Sequence, residues 1–187
     1  MNIYISLKRI CDFLLALILL VLFSPFFILI SIGIVFSSKG NPIFLQKRAG
    51  YRCKQFTIFK FRTMTISKPR TTSQTFGDSP DVFLFGKFLR KYKIDELAQI
   101  INILKGEMSF IGPRPCEISI FEGMPNWAKK RFSVKPGISG LAQIRGGYNI
   151  TWEQRWVHDI EYIKNISLTQ DLIIFFISDL LSSLKSG

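Results

Sequence analysis

The sequence predicts a single membrane-attached domain, mostly helical with a small β component. Three observations predict it. Phe13 to Phe36 is apolar apart from Ser24, Pro25, Ser31 and Gly33. Four later segments, 82–92, 95–104, 151–163 and 168–185, carry apolar residues at helical spacing. Two short stretches, 43–46 and 55–61, read as strands joined by a turn around Ala49-Gly50. A chain of 187 residues suits one domain with an appended anchor.

The apolar run comes first. As a helix its 24 residues would be about 36 Å long, enough to cross a hydrocarbon core. It is too long for the core of a signal peptide. Pro25 has no N–H, so the carbonyl of Val21 loses its helical partner and a kink is expected. Ser24 is placed to bond a neighbouring carbonyl and offset that loss. Both flanks are basic, with Lys8 and Arg9 before the run and Lys39, Lys47, Arg48, Arg52 and Lys54 after it. The positive-inside rule therefore assigns no orientation. On the residues alone, a kinked span and a re-entrant helix that bends at Ser24-Pro25 both satisfy the pattern.

Charge narrows the partners. Twenty-five Lys and Arg against 13 Asp and Glu leave a net charge of +12, which calls for an anionic partner. Hydrophobic residues make up 48% of the chain, and 18 are Phe. That combination suits anionic lipid at a membrane surface and argues against nucleic acid, for which no recognition motif is present. Cys11, Cys53 and Cys116 form no CxxC, and His158 is the only histidine. A zinc site of ordinary spacing and a disulfide framework are both excluded, and a reducing compartment follows.

After the break at Asn41-Pro42 and the strands, residues 65–80 are rich in Ser, Thr, Pro and Gly and read as a loop. The second helical segment begins with Asp95-Glu96, and Gly106 suits its end. Ile111-Gly112-Pro113-Arg114-Pro115 is a stiff loop that fixes Arg114 between two prolines. Residues 117–132 are helical in part. Residues 134–144 hold a turn and a short apolar stretch, and Arg145-Gly146-Gly147-Tyr148 is another loop.

Asp95-Glu96 is the candidate reactive centre. A plain explanation competes: acidic residues are favoured in a helix's first turn by its dipole. The chemical reading makes Asp95 a nucleophile that attacks phosphorus and splits one transfer into two steps. Neighbours on a helix point about 100° apart, so Asp95 and Glu96 need not share a role. Lys60, Arg62, Arg90 and Arg114 are candidate phosphate ligands, each also readable as part of a solvated face.

The ordered motifs then resemble a family. Lys93-Ile94-Asp95-Glu96-Leu97 with Gln99 and Asn102, followed by the run from Leu104-Lys105-Gly106-Glu107 through Gly112-Pro113-Arg114-Pro115, is similar to the bacterial sugar transferases, specifically the small monotopic phosphoglycosyl transferases. Gln46-Lys47-Arg48-Ala49-Gly50, Phe59-Lys60-Phe61-Arg62-Thr63-Met64 and the segment 134–143 match as well, as do Lys8-Arg9-Cys11-Asp12 and Ser24-Pro25. The resemblance runs from about Lys8 to about Leu172.

It implies an α/β, mostly helical cytoplasmic domain over residues 39–187. Residues 1–38 would form a re-entrant membrane helix broken at Ser24-Pro25, and interfacial amphipathic helices would complete the attachment. It implies transfer of a sugar 1-phosphate from a UDP-sugar to a polyprenol phosphate, with undecaprenyl phosphate the expected carrier and UMP released. This would be the first membrane step of a glycoconjugate pathway, at the cytoplasmic face of a bacterial inner membrane. Asp95 would carry the phospho-sugar covalently and touch Mg²⁺. Glu96 would assist, for instance by deprotonating the acceptor.

Three departures stand out. Glu107 replaces an aspartate, Ala98 replaces a proline or bulkier residue, and Arg145-Gly146-Gly147-Tyr148 replaces Asn-Gly-Arg-Asn. Arg145 and Tyr148 are thus candidate contacts to the nucleotide or sugar. The competing reading is a basic lipid-binding adaptor without activity.

Overall fold

The computed structural model describes residues 3–65 and 79–186, without the side chains of Tyr148 and residues 179–186. The expected loop at 65–80 lies almost wholly outside the described residues.

Helix α1 spans Ile3–Ser37. It runs through Pro25 without leaving helical backbone, so Pro25 does not break the helix into two elements. The reason is local. Ser24 Oγ donates to the Val21 carbonyl at 2.8 Å, the acceptor that Pro25 leaves without an N–H. Little of α1 is buried, yet both of its ends are tied to the same body. At the start, Tyr4 Oη donates to Asp171 at 2.6 Å and Lys8 pairs with Asp171 at 2.7 Å. Asp12 accepts from Ser109 Oγ at 2.6 Å. Ala16 and Ile34 are fully buried, and Phe27 packs between their two clusters. The opposite face stays bare around the proline: Val21, Leu22, Ile28 and Leu29 are each more than 60% exposed. An apolar face of that extent suits hydrocarbon rather than water.

Strands β1 (Ile43–Ala49) and β2 (Gln55–Phe61) form the expected antiparallel hairpin, with β1 three residues longer than its sequence suggests. Arg52 and Cys53 take left-handed backbone in the turn. Helix α2 (Leu84–Lys91) leads into a 3-10 segment, Ile94–Gln99, and then α3 (Ile100–Leu104). Strand β3 (Ser109–Ile111) follows, then β4 (Cys116–Glu117) and α4 (Ile118–Glu122). Another 3-10 segment, Ala128–Ser133, precedes β5 (Gly137–Ser139) and α5 (Leu141–Arg145). The chain ends in α6 (Trp152–Lys164) and α7 (Leu168–Ser186). Thr151 starts α6 with a capping box, its hydroxyl accepting from the Gln154 N–H and its own N–H donating to Gln154. Helices thus outweigh two small sheets, one ordered β2-β1-β4 and one pairing β3 with β5 in parallel.

Two features set the rigid frame. Strand β2 is an edge strand, and Asn102 of α3 closes part of that edge. Its Oδ1 accepts from the Phe59 N–H at 3.0 Å, and its Nδ2 donates to the Thr57 carbonyl at 2.7 Å and to Glu107 at 2.8 Å. A carboxamide presents one donor and one acceptor as a paired strand would, so two backbone groups at 57 and 59 are satisfied. Second, the loop after β3 presses against β5. Gly112 donates to Ser139 at 2.9 Å and Gly137 donates to Pro113 at 3.0 Å. A Cβ on Gly137 would lie 2.1 Å from the Gly112 nitrogen, so only glycine permits this approach.

Packing joins these parts. Ala16, Ile58, Ile100, Ile103 and Met108 form one cluster across α1, β2 and α3; Ile34, Phe61, Leu89 and Ala98 form another. Burying each large aliphatic side chain contributes about 2 kcal/mol. On α7, Asp171 and Ile174 face inward while Phe175 and Phe176 are exposed. Cys11 and Cys53 are exposed and Cys116 is buried, all three as free thiols.

Candidate active site

Asp95 and Glu96 lie in the first turn of the 3-10 segment. The residue before it, Lys93, has φ +55° and ψ +21°, a left-handed conformation that is uncommon outside glycine. It turns the chain sharply between α2 and the acidic pair, and its carbonyl accepts from the Glu96 N–H at 3.1 Å. Strain two residues before a candidate reactive carboxylate is where functional sites store it.

Three cations converge on the pair. Lys60 reaches in from β2, and its Nζ lies 2.9 Å from Glu96 Oε1. Arg114 grips Glu96 with both terminal nitrogens, Nη1 to Oε2 at 3.3 Å and Nη2 to Oε1. This fork is the geometry in which Arg binds a carboxylate most firmly. Arg90, on α2, donates from Nε to the Thr63 hydroxyl at 2.8 Å and acts on Asp95 through its charge. The approach of α2 to Thr63 needs Gly86, because a Cβ there would sit 2.2 Å from the Thr63 carbonyl oxygen.

The two carboxyl groups end in opposite electrostatic states. Burial opposes ionisation of Glu96, but Arg114 and Lys60 together outweigh it and hold the group far below the ordinary carboxylate range. Glu96 is ionised at every physiological pH. Asp95 is pushed up to about 6, chiefly by burial and next by the Glu96 charge, against the pull of Lys60, Arg90 and Arg114. Lys60 and Arg114 are spent on Glu96, which leaves the Asp95 carboxylate under-compensated. Adjacent carboxyls with pKa values driven apart are the mark of divided chemical roles.

The Gly-Pro-Arg-Pro loop has its own support. Buried Arg131 donates from Nη2 to the Arg114 carbonyl at 2.8 Å and from Nε to buried Asp159 at 2.8 Å. The sequence offers no signal for this pair: Arg131 ends a Lys-Lys-Arg run that reads as surface charge, and Asp159 lies 28 residues away.

Of the sequence-derived candidates, the structure gathers Asp95, Glu96, Lys60, Arg90 and Arg114. It does not gather Arg62. That side chain is 5% exposed, and all five of its N–H donors point to oxygens of Ser38, Gly40, Asn41 and Met64. The reading of Arg62 as a phosphate ligand is therefore corrected: it clamps the chain just past α1 and has no donor left for a phosphate. Arg145 is half exposed and pairs with Glu161 of α6 at 2.5 Å. The Tyr148 side chain lies outside the described residues. Ser24 and Pro25 sit mid-way along α1, remote in the fold from the clamp at Ser38.

Known proteins resemble the chain over nearly its whole length. Residues 3–181 match the family described as Bacterial sugar transferase. A UDP-N-acetylgalactosamine-undecaprenyl-phosphate N-acetylgalactosaminephosphotransferase of Aeromonas hydrophila is 40% identical over 182 residues, 93% of this chain and 43% of the relative. The uncharacterized sugar transferase EpsL of Bacillus subtilis (strain 168) is 40% identical over 172 residues, 90% of this chain and 83% of the relative. A UDP-glucose:undecaprenyl-phosphate glucose-1-phosphate transferase of Escherichia coli (strain K12) is 38% identical over 181 residues, 92% of this chain and 39% of the relative. The chain thus spans less than half the length of the first and third of these relatives and most of the second. With nearly its whole length matched, the chain belongs to the bacterial sugar transferase family.

Proposed function

We propose that this protein is a phosphoglycosyl transferase that moves a sugar 1-phosphate from a UDP-sugar to a polyprenol phosphate, undecaprenyl phosphate by analogy with the named relatives. One observation carries the reading: an under-compensated Asp95 carboxylate lies beside a Glu96 locked between Lys60 and Arg114.

In the first step an Asp95 oxygen attacks the phosphorus that bears the sugar. The bond from that phosphorus to the bridging oxygen breaks, and UMP leaves with the bond's electron pair. In the second step a phosphate oxygen of the polyprenol phosphate attacks the same phosphorus. The Asp95 acyl-phosphate bond breaks, and the carboxylate is regenerated. Lys60, Arg90 and Arg114 supply positive charge where phosphate oxygens gather. Glu96, always ionised and doubly held, is a poor proton acceptor. Its role in this scheme is to position the Lys60 and Arg114 heads.

Mg²⁺ fits this donor set. Among the described residues there is no cluster of three His, Cys, Asp or Glu, but Mg²⁺ bound with substrate phosphates needs only one or two carboxylates. Asp95 is the group that would hold it, and the ion would supply charge neutralisation on the diphosphate when bound.

The membrane setting follows the same reading. Both ends of α1 are tied to one body and its bare face is apolar around Ser24-Pro25. This supports a helix that dips into the leaflet and returns, with α7 lying at the interface. The catalytic domain would then sit at the cytoplasmic face, where a soluble nucleotide sugar meets a lipid phosphate. A lipid-binding adaptor would not require the Glu96 clamp.

The test is UMP release from a panel of UDP-sugars with undecaprenyl phosphate and Mg²⁺, alongside intact-mass analysis without acceptor. One sugar is expected to release UMP and to leave the chain heavier by one sugar phosphate. No release with any sugar would overturn the proposal.

A further inference from the structure

A cavity of about 340 Å³ opens between the start of α1 and the end of α3, away from the acidic pair. Its polar side is formed by Arg9, Lys105 and Lys135 around Gly106, and its apolar side by Ile10, Phe13 and Leu14. A Cβ on Gly106 would lie 3.4 Å from Lys135 Nζ and 3.6 Å from Arg9 Nη2, so both heads converge on one point. Neither head has a hydrogen-bond or ion-pair partner among the described residues. Lys105 pairs with Glu107 at 3.1 Å. The acid facing them, Asp12, already accepts from Ser109 and lies 3.9 Å from Lys8.

Like charges held together without a counter-ion cost stability. Lys135 is pushed down by burial and by the Arg9 charge, with only Asp12 opposing. Such an arrangement persists where an anion completes it. The charges acting on Lys135 are Arg9 and Asp12; those acting on Asp95 are Glu96, Lys60, Arg90 and Arg114. The two centres share no member. Ile10, Phe13 and Leu14 are all exposed on the apolar face of α1, so the cavity opens directly beside the surface suited to hydrocarbon.

We infer that this cavity binds the phosphate of a membrane lipid between Arg9 and Lys135, with a hydrocarbon chain along Ile10, Phe13 and Leu14. An anionic phospholipid and the polyprenol phosphate share that chemistry. The site is separate from the Asp95 centre, and its occupancy does not depend on the proposed transfer.

The full chain is reconstituted in phosphatidylcholine nanodiscs doped with either phosphatidylglycerol or undecaprenyl phosphate. Retained lipid is then read by native mass spectrometry after release into detergent. Wild type is expected to retain the anionic lipid over phosphatidylcholine. The double variant Arg9→Gln with Lys135→Gln is expected to retain roughly 30-fold less, about fivefold per cation. Arg9→Lys with Lys135→Arg keeps both charges and is expected to retain the lipid, which separates lost charge from lost fold. Loss confined to phosphatidylglycerol assigns the site to bulk phospholipid, and loss confined to undecaprenyl phosphate assigns it to the acceptor. Equal retention by wild type and the Gln variant, with both lipids, would overturn the inference. Because retention is read without turnover, that failure is distinct from absence of UMP release.

Discussion

Arg62 and Arg114 are alike in sequence terms, each beside a rigid segment in a basic chain, yet they end in different company. Arg62 is almost wholly buried and spends all five donors on oxygens just past α1 and at Met64. Arg114 keeps 38% of its side chain exposed and spends a fork on one carboxylate. The first closes a structural joint between the membrane helix and β2. The second organises a charged centre from a partly exposed position. What separates them is the partner: four neutral carbonyls and a hydroxyl take up the Arg62 guanidinium, whereas a charged carboxylate takes the fork of Arg114.

The largest expected effect sharpens the reactive side of that comparison. Asp95→Asn is expected to lower UMP release by roughly 10⁴-fold or more, as removal of a covalent nucleophile does. The same change removes a desolvated, under-compensated charge, so thermal unfolding near pH 7 is expected to shift upward by a few degrees. An unchanged rate, or a lowered melting temperature, would break the assignment.

Arg→Lys at each of the two positions separates their roles directly. Arg114→Lys loses the fork on Glu96 and is expected to cut kcat roughly 100-fold, with the melting temperature nearly unchanged. Arg62→Lys leaves buried carbonyls short of donors and is expected to cost about 2–3 kcal/mol of stability, with kcat of the folded protein nearly unchanged. Paired calorimetry and steady-state kinetics read both. If the two variants behave alike, the distinction drawn from their hydrogen bonds fails.

The smallest effect is a titration. In the proposed mechanism the reactive form of Asp95 is the carboxylate, and burial and the Glu96 charge push its pKa up to about 6. The free enzyme's kcat/KM is expected to be flat above that pH and to fall about tenfold per unit below it. The linked stability effects have opposite signs. Asp95 is raised in the folded state, so its protonation adds stability as pH falls through about 6. Glu96 is lowered, so its contribution is present above its ordinary value of 4.5 and is lost as pH falls below it. An apparent pKa near 4 in the rate profile would show that Asp95 is not held as described.

Much of the fold is legible locally. The hairpin follows from β-branched and aromatic runs around Gly50, and α6 from the Thr151–Gln154 capping box. The Ser24–Val21 bond is three residues long and can be anticipated from Pro25 alone. The 3-10 geometry at Ile94–Gln99 is not legible, because six residues do not separate a period of 3.0 from one of 3.6. Nor is the left-handed Lys93 that precedes it. At the site, the acidic pair and the cations around it were readable as residue types. Arg131 and Asp159 were not, since each takes its meaning from a partner 28 residues away.

By itself, the sequence determined the apolar helix with its internally compensated proline, the basic charge and the ordered motifs that place the chain in its family. These depend on neighbours within a few residues or on composition, and need no fold to be read. Tertiary structure alone decided which cations reach Glu96, which arginine becomes a joint, and why Asp95 titrates above its neighbour. Those outcomes rest on burial and on Coulomb interactions between residues 18 to 36 positions apart, and such interactions exist only once the chain has folded.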